Sequence, residues 1–365
     1  MNGSGRLIPI DALKSLAMLL VCFYHFSFYD FNIVAAEAPA STVLNYGLRS
    51  LCSLAVPLFF MVNGWLLLER PLHLSSHLRK VAKLYAVTIA WSAISILAMK
   101  IIRGDSYSLG EFLRTVFSSK LYTNNHLWFM YALLALYLLL PVLQLAIQQA
   151  DTRYIKIILF SALFFYTGVL TLDWGVNLWR MARRDSGTPW EPSHIQSFVF
   201  MNPFGASGYA LIYFIAGGLF KRHQESIKRL KGGYLGGTFL AAAVLLAAYG
   251  LAMSRTSGQF MDSVWDGYYS LPTLAMTLTL FALVLKVQSL GQRVDTLVKL
   301  VGANTLGIYF LHHLVGVWIT HKFGQQLANS QVWVSFLIAL ANLGFCTLVA
   351  LAMKRHPYSR ALLAG

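Results

Sequence analysis

The feature that most constrains this chain is a row of ionisable side chains inside its first apolar stretch. Residues 7–29 are long and apolar enough to cross a bilayer, which takes about 20 residues, yet they include Asp11, Lys14 and His25. The spacing from Lys14 to His25 is close to three helical turns, so both side chains share one face, and Asp11 lies about 40° from His25. Ionisable groups in hydrocarbon cost at least ~2.5 kcal/mol and normally face a protein interior or a wet cavity. We therefore expect the first helix to line a site.

Apolar stretches of this length recur along the whole chain. Of the 365 residues, 57% are hydrophobic and only 12% are charged, and a soluble protein would not repeat apolar runs of about 20 residues. The pattern predicts an all-α, polytopic membrane protein that forms a single domain over residues 1–365. About ten membrane spans are predicted, near residues 7–29, 43–68, 81–101, 126–147, 155–172, 206–220, 233–253, 267–286, 300–320 and 331–353.

The net charge of +15 at first suggests a nucleic-acid partner, but the charges follow the predicted membrane topology. Most Lys and Arg residues fall in alternate connecting segments, and the acidic residues are concentrated in the others. The positive-inside rule then places both termini in the cytoplasm. Topology and contact with anionic membrane lipids explain the basic excess, so no nucleic-acid partner is expected.

Two of the predicted outside segments are long. Residues 102–125 carry mixed charge, and residues 173–205 combine tryptophans with charged side chains, among them Trp179 and Arg180. Aromatic faces beside charged hydrogen-bonding groups suit a sugar, and connections of this length are usually functional or disordered. The alternative is an interfacial aromatic belt with an ordinary surface loop.

His25 is a candidate general base, because a neutral imidazole with a carboxylate nearby can accept a proton. With the N-terminus inside, His25 would lie in the outer half of the bilayer. Lys14 would lie about 16 Å deeper, toward the cytoplasm, at 1.5 Å rise per residue. This spacing would separate a catalytic group from a phosphate- or carboxylate-binding group along one tunnel. The alternative is that Lys14 snorkels to the inner headgroups and His25 bonds to a neighbouring helix.

Polar residues of the predicted ninth span also share a face. Thr305, Tyr309, His312 and Gly316 fall within an arc of about 60°, and polar tips near mid-bilayer need partners. His312 is compatible with a functional role and with packing alike. The adjacent His313 points about 100° away and is expected to serve packing. No metal-ligand spacing is present, so no metal is predicted.

The second span holds two further polar residues. Arg49 lies in its outer third and Asn63 in its inner part, and either could belong to a site. Arg49 could equally snorkel to the headgroups.

A basic cluster marks the predicted cytoplasmic end of the third span. It contains His77, Arg79, Lys80 and Lys83. A cationic mouth suits phosphates, for instance those of coenzyme A, through charge-assisted hydrogen bonds. The alternative is the ordinary basic excess of a cytoplasmic segment.

Four segments, taken in order, are similar to the motifs of one known family. They are IDALKSLAMLLVCFYH, VPLFFMVNGWLL, HLWFMYALLALYLLLP and ANTLGIYFLHH. They resemble the I-D-x-L-R opening with a later His, the V-P-L-F-F-x-x-S-G-[YF]-L segment, the H-L-W-F-L-x-x-L-x-x-x-Y-x-x-x-P helix and the S-x-x-I-Y-L-x-H segment of the membrane-bound acyltransferase-3 family. The form without a fused hydrolase-like domain resembles bacterial sugar O-acetyltransferases of the cytoplasmic membrane.

The resemblance implies acyl-CoA, with acetyl-CoA foremost, as cytoplasmic donor and a hydroxyl of a cell-envelope sugar or lipid-linked glycan as acceptor. The family's first-helix His, its proposed base, falls on His25, and the paired Arg falls on Lys14. Its basic R-x-x-R pair falls on Lys80 and Lys83, and its S-G serine falls on Asn63. Lys keeps the charge of Arg but lacks the bidentate fork.

We expect a mechanism in which the thioester meets a glycan hydroxyl near His25. His25 removes the hydroxyl proton, and Asp11 holds Lys14 in place. Tyr309 or His312 donates to the thioester oxyanion. Direct transfer and an acyl-His intermediate both remain open.

Donor and acceptor are expected to be bound by separate sets of side chains. The predicted donor set comprises Lys14, Asn63, Arg79, Lys80 and Lys83. The predicted acceptor set comprises Arg49, His126, Trp128, Trp179 and Arg180.

Two alternatives to the acyltransferase are kept open. Intramembrane charges and a Pro-kinked helix also permit a secondary transporter of an anionic or sugar-like solute. A third possibility is an acyl-CoA-binding or scaffold protein that has lost catalysis.

Overall fold

The computed structural model of the chain describes residues 7–35, 37–118, 125–148, 153–184, 190–193, 195, 205 and 207–363. Within those ranges every regular element is a helix and none is a strand, which confirms the predicted all-α class. The chain divides into two compact units. Unit 1 comprises Met1–Tyr29, Arg70–Val142 and Ser289–Gly365, and unit 2 comprises Asp30–Glu69 and Leu143–Gln288. The single domain predicted over the whole chain stays a prediction.

The described ranges contain sixteen α-helices. In chain order they are α1 (Ile8–His25), α2 (Ala40–Ser50), α3 (Ala55–Leu67), α4 (Leu74–Arg103), α5 (Leu109–Ser118), α6 (Trp128–Gln148), α7 (Arg153–Ala162), α8 (Val169–Ala182), α9 (Ala210–Arg222), α10 (Gln224–Arg229), α11 (Gly232–Ser257), α12 (Leu271–Val284), α13 (Gln292–Gly302), α14 (Thr305–Leu327), α15 (Val332–Arg355) and α16 (Pro357–Ala361). A π-helical turn, Leu163–Gly168, joins α7 to α8, and 3-10 turns, Leu51–Leu54 and Asn125–Leu127, precede α3 and α6.

In unit 1, α1 packs against α13, α14 and α15, and α14 also packs against α4. At the contact between α14 and α4 the rings of Phe310 and Trp91 stack with their centroids 5.2 Å apart. The indole of Trp91 donates to the carbonyl oxygen of Leu362 at 2.9 Å, so its polar tip is satisfied although the ring is buried. This packing holds the C-terminal end of α1 against α14.

A sharp break separates α13 from α14, whose axes differ by 78°. The side-chain amide of Asn304, at the break, donates to the carbonyl oxygen of Leu300 at 2.7 Å. Lys354 of α15 donates to the carbonyl oxygen of Ala303 at 3.2 Å. Carbonyl groups at the end of a helix lack partners within the helix, and these two bonds supply them.

In unit 2, α3 and α9 approach each other closely. A Cβ atom at Gly217 would lie 1.9 Å from the carbonyl oxygen of Met61, and one at Gly64 would lie 1.8 Å from that of Phe214. Only glycine fits at either position. Small residues at membrane helix interfaces let the backbones approach and gain van der Waals contact, so this pair of helices forms the tight centre of unit 2.

The helices have the lengths of a multi-pass membrane protein. In the described ranges, seven continuous helical segments are long and apolar enough to cross a membrane, or eight if α13 and α14 form one bent span. All ten predicted spans fall on helices, but α9 and α12 have only 13 and 14 residues. The membrane class is confirmed, whereas the count of ten and the cytoplasmic termini stay predictions.

Two predicted connecting segments are partly helical. Residues 102–125 contain α5, which starts with a capping box between Ser108 and Glu111. Hydrogen bonds from the backbone and the hydroxyl of Ser108 hold the pKa of Glu111 below its usual value. The predicted outside segment 173–205 begins within a helix, because the helix of α7 and α8 continues to Ala182. Charged and aromatic residues indicate where a helix leaves the apolar layer, not where it ends.

We expect Gly217→Ala to destabilise unit 2 by about 1–3 kcal/mol, because the added methyl group forces α3 and α9 apart. The thermal unfolding midpoint of the purified protein in detergent measures the change. Gly236→Ala in α11 is the control, since no atom lies within 4 Å of the added methyl, and helix propensity favours alanine there. Equal midpoints for Gly217→Ala and the unchanged protein would contradict the close approach.

Candidate active site

Four histidines from three segments of unit 1 form one group, termed the histidine cluster. His25 is the last residue of α1, His126 lies in the turn before α6, and His312 and His313 lie in the first half of α14. The ring centroid of His25 is 5.3 Å from that of His312 and 5.7 Å from that of His313. The rings of His126 and His313 stack at 4.1 Å with 14° between their planes. No group of His, Cys, Asp or Glu among the described residues has the arrangement of a metal site.

The histidine cluster is buried except for one ring. His126, His312 and His313 are 8%, 1% and 8% exposed, whereas His25 is exposed. Sequence analysis predicts separate roles for His25, His126 and His312 and a packing role for His313. The structure instead brings all four rings together, with the accessible ring of His25 backed by the buried ones.

Tyr309 and His312 both use their donor hydrogens inside the protein. The hydroxyl of Tyr309 donates to the backbone carbonyl oxygen of His126. Nδ1 of His312 lies at the backbone carbonyl oxygen of Tyr309, so this nitrogen carries the hydrogen, because a carbonyl oxygen only accepts. In a neutral ring Nε2 is then a lone-pair acceptor. The structure therefore leaves neither side chain with a free donor for the thioester oxyanion, the role that the sequence analysis predicts for one of them.

A buried asparagine of α15 connects the cluster to α1. The side-chain amide of Asn342 donates to the carbonyl oxygen of His312 at 3.3 Å and lies 3.7 Å from Sγ of Cys22. Its oxygen accepts from the thiol of Cys346 at 3.2 Å. Cys22 is three residues before His25, so Asn342 links α15 to both helices that position His25. No motif in the sequence indicated this residue.

Asp11 and Lys14 lie nearer the start of α1. Asp11 is 3% exposed and packs on α13, where a Cβ atom at Gly302 would lie 2.6 Å from its Oδ1. Lys14 is half-buried. The neighbouring Ser15 donates to the carbonyl oxygen of Val298 at 3.1 Å, which fixes α1 to α13. Asp11 thus faces the protein interior, as expected of an ionisable group in a membrane span.

The predicted basic cluster lies on the first turns of α4. Arg79, Lys80 and Lys83 are all exposed, and Lys83 lies four and three residues after Arg79 and Lys80, which places it beside each of them on the helix. His77 departs from the prediction. It is buried, and its Nε2 donates to the carbonyl oxygen of Tyr137 at 2.7 Å, so it takes part in packing rather than in the exposed basic surface.

In unit 2, Arg49 forms an ion pair away from the surface. Its Nη2 lies 2.9 Å from Oδ2 of Asp262, and its side chain is 9% exposed. The guanidinium lies 4.5 Å from the centroid of the Phe31 ring, a cation–π distance. This environment favours specific pairing over snorkelling. The sequence did not reveal Asp262 as the partner, because 213 residues separate the two.

The other predicted binding residues have local contacts. The amide of Asn63 donates to a carbonyl oxygen of its own helix at 2.8 Å. Trp179 is 56% exposed near the end of α8, and Arg180 donates to two carbonyl oxygens of segment 190–193 at 2.9 and 3.1 Å. Trp128, in the first turn of α6, is half-buried. The predicted donor and acceptor sets are therefore each divided between unit 1 and unit 2.

Residues 8–352 match the family model described as acyltransferase domain, that of acyltransferase-3. The chain belongs to the acyltransferase-3 family. No curated protein and no solved structure gives a significant match. Membership covers nearly the whole chain, confirms the resemblance and establishes a membrane acyltransferase rather than the transporter that the sequence left open.

We expect the effects of replacing Arg49 and Asp262 on the free energy of unfolding of this acyltransferase to depend strongly on each other. Arg49→Met leaves a partly buried carboxylate without its partner, which costs about 3–5 kcal/mol for a fully buried pair. Adding Asp262→Leu should recover part of that loss, since no lone charge remains. Thermal unfolding in detergent measures both changes.

The control for this pair is Lys228→Met, which breaks the exposed contact of Lys228 with Glu225 at 3.1 Å. It should cost less than about 1 kcal/mol. A double variant that is no more stable than Arg49→Met would show that the two charges do not depend on each other.

Proposed function

We propose that this acyltransferase moves an acyl group from acyl-CoA to a hydroxyl of a cell-envelope sugar or lipid-linked glycan. Acetyl-CoA is the proposed donor, arriving from the cytoplasmic side of a bacterial cytoplasmic membrane. One observation carries the proposal: the accessible imidazole of His25 is backed by three buried histidines in a chain of an acyltransferase family.

The reaction needs one base and consumes no net proton. The hydroxyl oxygen of the glycan forms a bond to the thioester carbonyl carbon, and the carbon–sulfur bond breaks. The hydroxyl proton ends on the thiolate of CoA. One imidazole can take the proton as the first bond forms and return it as the second breaks. We assign this role to His25, the exposed ring of the histidine cluster.

Donor binding is proposed for the exposed cations of α4. The diphosphate and ribose phosphate of CoA are anions that Lys and Arg bind through charge-assisted hydrogen bonds. Arg79, Lys80 and Lys83 offer three positive charges on the first turns of α4. Lys14 is proposed to line the path of the pantetheine arm toward His25, and Asn63 to contribute from α3.

Acceptor binding is proposed for aromatic and cationic residues at the ends of helices. Trp179 presents an exposed indole, over which the guanidinium of Arg183 lies at 4.8 Å from the ring centroid. Arg180 and Arg49 add hydrogen-bond donors, and Trp128 adds a second aromatic ring. Aromatic faces beside charged donors suit a sugar, whose hydroxyls accept hydrogen bonds while its ring faces are apolar.

We expect His25→Gln to lower kcat by about 10²–10⁴-fold, the usual contribution of a general base. Purified protein is given radiolabelled acetyl-CoA and a cell-envelope glycan extract, and label in the glycan is measured. His321→Gln is the control, because it removes an exposed histidine of α14 outside the cluster. The unfolding midpoint of each variant must match that of the unchanged protein.

Three outcomes of this experiment separate the role of His25 from the proposed function as a whole. Loss of transfer only in His25→Gln supports the proposed base. Undiminished transfer in His25→Gln excludes His25 as the base. Ion-coupled solute uptake by proteoliposomes, with no transfer from any acyl-CoA, would overturn the proposed function itself.

We expect the double variant Lys80→Ala, Lys83→Ala to raise the KM for acetyl-CoA about tenfold or more. This rise corresponds to a loss of roughly 1.4 kcal/mol of binding free energy, and kcat should change little. Acetyl-pantetheine lacks the ribose phosphate and the diphosphate, so its KM should be the same in the variant and the unchanged protein. Lys156→Ala in α7, another exposed cation predicted on the same membrane side, is the control. An equal rise in KM for acetyl-pantetheine would argue against phosphate binding at α4.

A further inference from the structure

His126 is a ring of the histidine cluster whose hydrogen has no acceptor among the described residues. Both Nδ1 and Nε2 of His126 are buried and without a hydrogen-bond partner among the described residues. A neutral imidazole always carries a hydrogen on one of these nitrogens. His126 therefore presents a buried N–H donor in either tautomer. Buried polar groups without partners are rare and cost stability, so this donor requires an explanation.

Two neighbouring side chains, Tyr309 and His312, have no hydrogen left to donate to a substrate oxygen. The hydroxyl hydrogen of Tyr309 is used on the backbone carbonyl of His126, and Nδ1–H of His312 is used on the carbonyl of Tyr309. Nε2 of His312, also buried without a partner, then presents a lone pair. Of the three, only the ring of His126 has a hydrogen to offer to an incoming oxygen.

The position of the His126 ring is fixed from two sides. The face of His313 lies against it at 4.1 Å with nearly parallel planes, and the bond from Tyr309 holds its backbone. Stacking covers a face of the ring and leaves the nitrogens, which lie on its edge, for a partner. The ring of His313 contacts that of His25 at 5.7 Å, so His126 and the proposed base belong to the same group of rings.

We propose that His126 is a catalytic residue whose N–H binds the carbonyl oxygen of the acyl thioester, with His313 as the positioning residue behind it. The inference rests on the proposed acyl-CoA chemistry. When the glycan oxygen adds to the carbonyl carbon, the carbonyl electron pair moves onto oxygen, and that oxyanion accepts the hydrogen bond from His126. When the carbonyl re-forms, the carbon–sulfur bond breaks and the thiolate receives its proton from His25. His126 keeps its own proton throughout.

This assignment moves His126 from the acceptor side of the reaction to the acyl group. It also replaces Tyr309 and His312 as source of the oxyanion donor. A donor held in a buried site needs no rearrangement as charge develops on the oxygen, which makes such a donor effective in acyl transfer. The kinetic consequences differ between the two assignments, because an oxyanion donor acts on kcat whereas a glycan contact acts on the KM of the acceptor.

The test uses His126→Phe, which keeps an aromatic ring against His313 but removes the N–H. We expect kcat to fall about 10²–10³-fold, the usual loss for one oxyanion donor, with both KM values within about threefold. His126→Gln, which restores N–H donors, should recover at least about tenfold over His126→Phe. Binding of S-ethyl-CoA, a thioether without the carbonyl oxygen, should be equal in all three proteins and reports an intact donor site.

Tyr131→Phe is the matched control. It removes another buried polar atom without a partner, from the first turn of α6, and should leave kcat unchanged. A His126→Phe protein with kcat within threefold of the unchanged protein would overturn the inference, as would a rise confined to the acceptor KM. Weaker S-ethyl-CoA binding with a lowered unfolding midpoint would assign His126 a structural role instead. If the unchanged protein transfers no acyl group from any acyl-CoA, the result contradicts the proposed function itself. The other outcomes contradict only the role assigned to His126.

Discussion

Three rings of the histidine cluster are buried, and buried hydrogen-bonding groups must find partners in the protein or in a substrate. That constraint determines how the side chains of the site are arranged. The hydroxyl of Tyr309 reaches the backbone of His126 across 183 residues of sequence, and the ring of His312 turns back onto its own helix. The bond from Tyr309 joins the turn before α6 to α14. The stack of His126 on His313 follows from that junction, as does the donor left without an acceptor.

The place of His25 depends on how α1 is fixed. Near its start, Asp11 packs against the glycine that ends α13, and Ser15 bonds to the backbone of the same helix. Near its end, Cys22 lies beside the amide of Asn342. Because α13 and α14 meet at a sharp break, contacts with both helices define the position of α1 along its length. The last residue of α1 can then be exposed and still be held against α14.

The sequence predicted most of the helices and part of the site, for physical reasons that are specific to each. Apolar runs of membrane length identify helices whatever their neighbours, and helical periodicity placed Tyr309 and His312 on one face. Neither signal reports contacts between distant segments, so the stacking of His126 on His313 and the pairing of Arg49 with Asp262 could not be foreseen. His313 was assigned to packing because it points away from His312 along the helix. A second segment, the turn at His126, meets it there.

The cluster divides two requirements that conflict in a single side chain. A base must be reached by the hydroxyl that it deprotonates, and His25 alone among the four rings is exposed. A donor to a developing oxyanion is most effective where water is excluded, because the electrostatic interaction is stronger at low dielectric, and His126 is buried. Under the proposed roles, one accessible and one enclosed imidazole of the same cluster each meet their own requirement. The same division fits the use of the donor hydrogens of Tyr309 and His312 inside the protein, which leaves the nitrogens of the enclosed ring for the proposed contact with the acyl group.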